Sequence, residues 1–392
     1  MTEQRWTTAE LIALRQQGDP LADQMIEEIH AAGGMPAVRR MNAFLQNFNA
    51  PIPDWVPDSV RDYLKAPAPL PVWIDPAQID RARALFTVYA LPTLLIFWIK
   101  SAAQCFSADN GSHTFFRRKI FHPAALRSFM VEITQLICDV MTEGGLNSGE
   151  QGEKGRGIVA LQKLRLHHAF VRFVLKNDKK NPWDPAWGIP INFDDTAGFT
   201  AAFCLFNLQG LDMLGISLEE RDREATRTMW SAMGFYLGVP ESCLARELAE
   251  AEALLADFGR REFCHSEDGS ALAHDLIDTM KGLMPFFLKA APHVLVWAVM
   301  EQRFREYLNI RRPGPVSRFV AWLIGKVLTE THLLVHLGGP VSKRLIQGLT
   351  RVERVGSRGE FRLPADMAKY FHLPLPVARP WESPPSGEGR SE

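Results

Sequence analysis

Between Gly157 and Leu175 the chain reads GIVALQKLRLHHAFVRFVL, and three of its side chains are suited to chemistry. Arg165, His168 and Arg172 are spaced by three and then four residues. At about 100° per residue that spacing brings them to one side of a helix. Leu161, Leu164, His168, Val171 and Leu175 form the apolar stripe of the same helix. His168 is therefore expected to face the core, with His167 rotated roughly 100° away. An inward imidazole in apolar company stays neutral and offers a lone pair to a metal or a haem iron, and flanking guanidiniums suit carboxylates such as haem propionates. Spacing alone also fits the commoner case of a core histidine bonded to a carbonyl, with arginines paired to acids.

Arg127 and Thr134, seven residues apart, share a face of a second expected helix, with the carboxylate of Glu132 close by. Their plain reading is a partly exposed arginine and a threonine bonded back to its own helix. His332 and His336 have zinc-ligand spacing, but in THLLVH a leucine, Leu333, stands where the HExxH motif needs its glutamate. The glycine-rich stretch 141–157, MTEGGLNSGEQGEKGRG, lacks the lysine-then-serine ending of a phosphate loop and follows no strand pattern, so it is read as a plain loop. No GxSxG nucleophile context occurs. Cys105, Cys138, Cys204, Cys243 and Cys264 are scattered, odd in number and free of CxxC, which speaks against a disulfide framework or a zinc site.

The elements that must position these residues read as helices throughout. Thr7 or Thr8 caps a first helix ending near Gln17, and Pro20 opens a second that stops at Gly33-Gly34. A proline-rich arm, 51–76, packs on the body through Trp55, Tyr63 and Trp73. Core helices are expected at 77–105 and 123–142, joined by a polar, basic connection, 107–122. After the histidine helix come 196–208, 218–237, 241–260, 271–288, 292–308 and 316–337. β-branched alternation bounded by hairpin turns is missing, so the fold class is all-α: one large helical domain, 1–373, with a disordered tail, 374–392.

With 392 residues, 46% hydrophobic, the chain buries a sizeable core. Its net charge of −1 gives no electrostatic reason to expect nucleic acid as a partner. Phe and Trp, 24 and 10 against 5 Tyr, supply aromatic area without hydroxyls, which suits an apolar ligand or simply a core. The N-terminus shows neither the basic-then-apolar run of a secretory signal nor twin arginines, so a cytoplasmic location is expected. The longest apolar run, 85–99, contains Pro92 and is short for a membrane span, leaving peripheral membrane contact as the expected limit.

The segments GRGIVALQKLRLHHAFVR, WGIPINFDDTAGFTAAFCLFNLQGLDMLGI and TMWSAMGFYLGVP, with GDPLAD near the N-terminus, resemble the bacterial rubber oxygenases, or latex-clearing proteins, and their fungal relatives of the MpaB type. Arg165, His168, Ala169 and Arg172 are the most specific part of the match. The resemblance implies a globin-like helical core holding haem b, His168 as proximal iron ligand, and Arg165 and Arg172 as supports of the haem site. It also implies insertion of dioxygen across a carbon–carbon double bond of an apolar isoprenoid. In that family the distal helix carries an arginine and, further on, adjacent lysine and threonine. Aligned on Thr134, Ile133 takes the lysine's place and Met130 the arginine's. Arg127 and Glu132 remain as stand-ins beside Thr134, and the sixth iron position is expected open or water-bound. Without export, the substrate is expected to be small or membrane-dissolved. The alternative is a haem-binding or apolar-ligand-binding helical protein without turnover.

Overall fold

The computed structural model describes residues 5–48, 50–117, 123–284 and 288–315. These are 70% helical, arranged as thirteen helices without a strand. The expected helix 316–337, the His332–His336 pair and the tail 374–392 lie outside the described residues.

Helix α1 (Thr8–Leu14) starts on a reciprocal cap in which Thr7 accepts from the Glu10 backbone and Glu10 reaches back to Thr7. Asp19 caps α2 (Pro20–Leu45), whose first residue is Pro20. The expected stop at Gly33-Gly34 is instead a kink: Gly34, at φ +63°, turns the chain and Pro36 restarts the helix. Val38, Met41 and Leu45 beyond the kink bury into the same core as Ala22, Met25 and Ile29 before it, which is why the helix resumes. Inside the proline-rich arm lies an unanticipated short helix, α3 (Asp58–Lys65), held by Val60 and Leu64 at i,i+4 spacing.

Helix α4 spans Pro76–Cys105, with a π-helical stretch at Phe97–Ala102. By length and composition it could cross a membrane, and it lies in the bundle against α8 and α9. The widened turn sends Lys100 one way, onto the Val299 carbonyl at 3.0 Å, while Trp98 turns the other way to Thr134. The connection 107–122 is corrected in part: α5 (Asp109–Arg117) is helical. Its single short apolar pair, Phe115–Phe116, gave too little periodicity to reveal it.

Then follow α6 (Pro123–Val140), α7 (Arg156–Lys176), α8 (Phe193–Met213), α9 (Glu220–Tyr236), α10 (Leu248–Glu262) and α11 (Glu267–Leu283). The expected single helix 292–308 is broken into α12 (Ala291–Val299) and α13 (Gln302–Tyr307) by extended backbone at Met300 and Glu301.

The histidine helix α7 is buried on two sides. Leu166 and Ala169 pack into the core of α2 and α3, whereas Ile158, Ala160 and Leu161 pack into the main core. Its start is fixed by close backbone approach: a Cβ on Gly157 would sit 2.6 Å from Val140 Cα and 2.8 Å from the Gly145 carbonyl oxygen. Backbone atoms cannot rotate aside. Gly157→Ala is therefore expected to destabilise the fold by about 1–3 kcal/mol through overpacking, measured as a lower urea midpoint with unchanged slope. An unchanged midpoint would show that the α6–α7 approach tolerates a methyl group.

Candidate functional site

Six helices enclose a cavity of about 190 Å³. Its walls are mainly apolar. Phe97 and Trp98 come from α4, Phe199 and Phe203 from α8, and Trp230 and Met233 from α9. Phe97 packs against Phe203 at 5.3 Å and stacks with Trp230 at 6.2 Å between ring centroids. Aromatic rings of this kind form a stiff lining.

His168 on α7 reaches this cavity half-buried. His167 also borders it, and here the single-stripe reading is corrected, because His167 is the more buried of the two. Its Nδ1 lies 2.7 Å from Asn42 Oδ1 on α2. A helix buried on two sides has no single apolar stripe, so periodicity alone misjudged which imidazole was more enclosed.

Arg165 and Arg172 do not line the cavity. Arg165 makes a bidentate pair with Asp19, Nε to Oδ2 at 2.5 Å and Nη2 to Oδ1 at 2.8 Å. Arg172 Nε donates to Asp23 at 2.7 Å, and its Nη1 to the Ile191 carbonyl at 3.0 Å. Both guanidiniums thus clamp the first turn of α2, the GDPLAD segment, in place of reaching a ligand's carboxylates.

On α6 the cavity face is Leu126, Phe129, Ile133, Leu136 and Ile137. That face leaves the three distal candidates off the cavity. Arg127 is exposed. Thr134 is buried, donating to the Met130 carbonyl at 2.7 Å and accepting from Trp98 Nε1 at 3.0 Å, so it bonds back to its own helix. Glu132 is half-buried on the side of Lys163, whose charge it favours. Each stands one residue, about 100° of helix rotation, from a lining neighbour, Leu126 or Ile133.

Four polar lining residues were missed, Thr114, Asp195, Thr196 and Thr200, of which Thr196 and Thr200 donate to the Asn192 and Thr196 carbonyls at 2.9 and 2.7 Å. Thr114, on α5, and Asp195, in the first turn of α8, are each 4% exposed. Asn192 caps α8 and holds Asp195 twice, through the Asp195 backbone N–H at 2.8 Å and through Asn192 Nδ2 to Oδ2 at 2.9 Å. Burial, with Asp194 beside it, lifts the Asp195 carboxyl from 3.8 to about 7, against the pull of Arg15 and Arg261. The sequence does carry a signal, the adjacent acids Asp194 and Asp195 at a helix start, but that pattern reads as ordinary N-terminal capping.

Among the described residues no three His, Cys, Asp or Glu side chains gather into a metal-holding cluster. Two imidazoles reach the largely apolar wall, His168 and His167, and the latter lies with Nδ1 2.7 Å from Asn42 Oδ1.

Comparison with known proteins places this arrangement. The profile described as "ER-bound oxygenase mpaB/B'/Rubber oxygenase, catalytic domain" matches residues 134–330, half of the chain. The chain belongs to this oxygenase family. It is 23% identical over 269 residues to the rubber oxygenase of Streptomyces sp. (strain K30), across 66% of this chain. The match spans 62% of that relative's length. A solved structure titled "Structure of Latex Clearing Protein LCP in the closed state" shares the fold, with a TM-score of 0.61 at 16% identity over 94% of each chain. Within the rubber oxygenase family match lie α7, α8 and α9, which carry His168, Asp195 and Trp230.

Two outcomes test this geometry. Arg165→Ala strands the buried Asp19 carboxylate and is expected to cost about 3–5 kcal/mol, read by urea denaturation of protein free of any cofactor. No loss there would mean that the pair does not hold α2. Asp195 has a raised folded value, so its contribution to stability is full below 3.8 and is lost as pH rises through about 7. The thermal midpoint of Asp195→Asn relative to the parent chain should therefore rise from about pH 5 to about pH 8 and then level off. A flat difference would mean that Asp195 is ionised throughout.

Proposed function

We propose that the chain is a haem b-dependent oxygenase that uses dioxygen to cleave a carbon–carbon double bond of an apolar substrate of isoprenoid or other unsaturated lipid type. The observation that carries this reading is His168, an imidazole on the wall of a largely apolar cavity in a chain of the oxygenase family. The residues present fit the group. A macrocycle needs apolar walls and one axial nitrogen, and the cavity offers both. His168 would hold the iron, while Arg165 and Arg172 serve indirectly by fixing α7 to α2.

Haem bound there supplies the redox-active iron that makes dioxygen reactive toward an alkene. The chain's own residues do the rest. Phe129 and Ile133 on α6 and Phe199 and Phe203 on α8 exclude water and press an alkene-bearing chain into place. Trp98 is held by Thr134, so its ring is a fixed wall. The reaction balances without a reductant: one dioxygen adds across the double bond, the bond breaks, and each carbon leaves with one oxygen as a ketone or aldehyde. The substrate we propose is small or membrane-dissolved, in keeping with a cytoplasmic location.

A second reading, a haem- or apolar-ligand-binding protein without turnover, is favoured by one observation: α6 presents only apolar side chains to the cavity. The two readings share a first test. Purified protein should show a Soret band near one haem per chain, lost or shifted in His168→Ala and kept in His167→Asn, which retains a donor toward Asn42. Absence of the band in folded protein supplied with haem would sink both readings. Oxygen uptake with an unsaturated isoprenoid, together with carbonyl products, separates them, since only the oxygenase consumes oxygen.

A further inference from the structure

Two oxygen atoms in the cavity wall have no hydrogen-bond partner: Thr114 Oγ1 and Asp195 Oδ1. Leaving a buried polar atom unpaired costs roughly as much as a lost hydrogen bond, so such atoms are rare in native interiors. Both belong to residues that line one cavity, so a small side-chain shift would offer them to a molecule bound there. They come from neighbouring elements. A Cβ on Gly111, one turn before Thr114, would lie 2.7 Å from Phe199 Cζ, and Phe199 is one turn after Asp195. His113, beside Thr114, stacks on Trp187 at 4.0 Å, just ahead of α8. Hence α5 and the start of α8 form one wall.

The cations near Asp195 are already committed. Arg261 is bidentate on Asp194, at 2.5 and 2.9 Å, and donates to Asp257 at 2.8 Å. Arg15 pairs with Glu262. Asn192 takes only Oδ2 of Asp195. Oδ1 takes none of these partners.

We propose that Thr114 Oγ1 and Asp195 Oδ1 form a polar seat in the apolar cavity for an oxygen-bearing group, a carboxylate or a hydroxyl, of the molecule bound there. The seat rests on the reading of this cavity as a ligand site. Its occupant carries one such oxygen group on an otherwise apolar body. That group comes from one of two sources, a carboxylate of the haem or the terminal oxygen of the apolar chain. Thr114 offers a hydroxyl, and Asp195, as a neutral acid, offers a second donor.

The experiment has two arms, each read by quenching of tryptophan fluorescence, since Trp98 and Trp230 line the cavity. In the first arm, haem-free protein binds haem b or its dimethyl ester, which has the same ring without carboxylates. In the second, haem-loaded protein binds farnesol or the hydrocarbon farnesane. The variants are Thr114→Val and Asp195→Leu, which remove the donors, and Thr114→Ser and Asp195→Asn, which keep them. In at least one arm the parent chain should prefer the oxygen-bearing ligand by roughly five- to tenfold. Val and Leu should erase that preference, while Ser and Asn keep it. Preference in the first arm assigns the seat to the cofactor, and preference in the second assigns it to the chain ligand. Equal binding within both pairs, or preferences untouched by Thr114→Val, overturns the seat. Failure to bind haem at all would count against the haem reading, and the alcohol and hydrocarbon would then be compared on the haem-free protein. Should Asp195→Leu not fold, Thr114→Val and Thr114→Ser decide the matter alone.

Discussion

The geometry of the site depends on two guanidinium–carboxylate pairs, Arg165 with Asp19 and Arg172 with Asp23, which fasten the histidine helix to the first turn of α2. The pairs sit one turn to either side of His168, on the flank of α7 next to its cavity-lining face. Asp19 does double duty, since it also caps α2. Removing either partner would therefore disturb a helix start and leave a poorly hydrated charge at once. Pairing both guanidiniums with carboxylates of α2 keeps their charge off the cavity wall, which is what an apolar cavity requires. The spacing that suggested carboxylate recognition was correctly read, but the carboxylates belong to the chain itself.

A space of about 190 Å³ lined by phenylalanine, leucine and tryptophan departs from the close packing of protein interiors. Each lining side chain that lacks a neighbour forfeits dispersion contacts, and the loss grows with the volume left open. A fold that maintains such a space recovers that loss only when an apolar molecule fills it. The stiff aromatic lining and the held ring of Trp98 oppose collapse. This argues for an apolar ligand in the cavity, which both proposed readings supply.

Much of the architecture was legible because helices announce themselves through caps and periodicity. Thr7, Asp19 and Asn192 each start a helix, and the two halves of α2 bury one continuous core. The errors have physical causes. Gly33-Gly34 looked like a stop, yet apolar residues beyond the kink pulled the chain back into helix. α5 carries its apolar residues too late for a period to emerge. In the site, His168 lies on the cavity wall, whereas Arg127, Glu132 and Thr134 each stand one residue away from a lining neighbour, Leu126 or Ile133, and the order of residue types along α6 does not by itself fix that register. Thr114 and Asp195 were invisible for a different reason: a polar residue becomes informative only when its surroundings leave it unpaired, and a sequence does not state surroundings.

The distribution of charge around the cavity shows why Asp195 matters more than its size suggests. Behind the start of α8, Asp194, Asp257 and Glu262 are answered by Arg261, Arg260 and Arg15 in a buried network that also takes in Asn110 from α5. Paired charges at short range largely cancel at a distance, so this network contributes little field inside the cavity. Asp195 is the one acidic side chain on the cavity wall, and no guanidinium or ammonium group lines it among the described residues. Its protonation state therefore bears directly on the charge of a largely apolar enclosure, whose other titratable lining groups are His167 and His168. A neutral carboxyl leaves the cavity able to take an apolar molecule with one oxygen-bearing end, whereas an ionised one would repel any anion and demand a donor or a cation. The same burial that favours the neutral form thus matches the cavity to an uncharged or weakly polar guest, and the fold supplies that match from the second and third residues of a helix start.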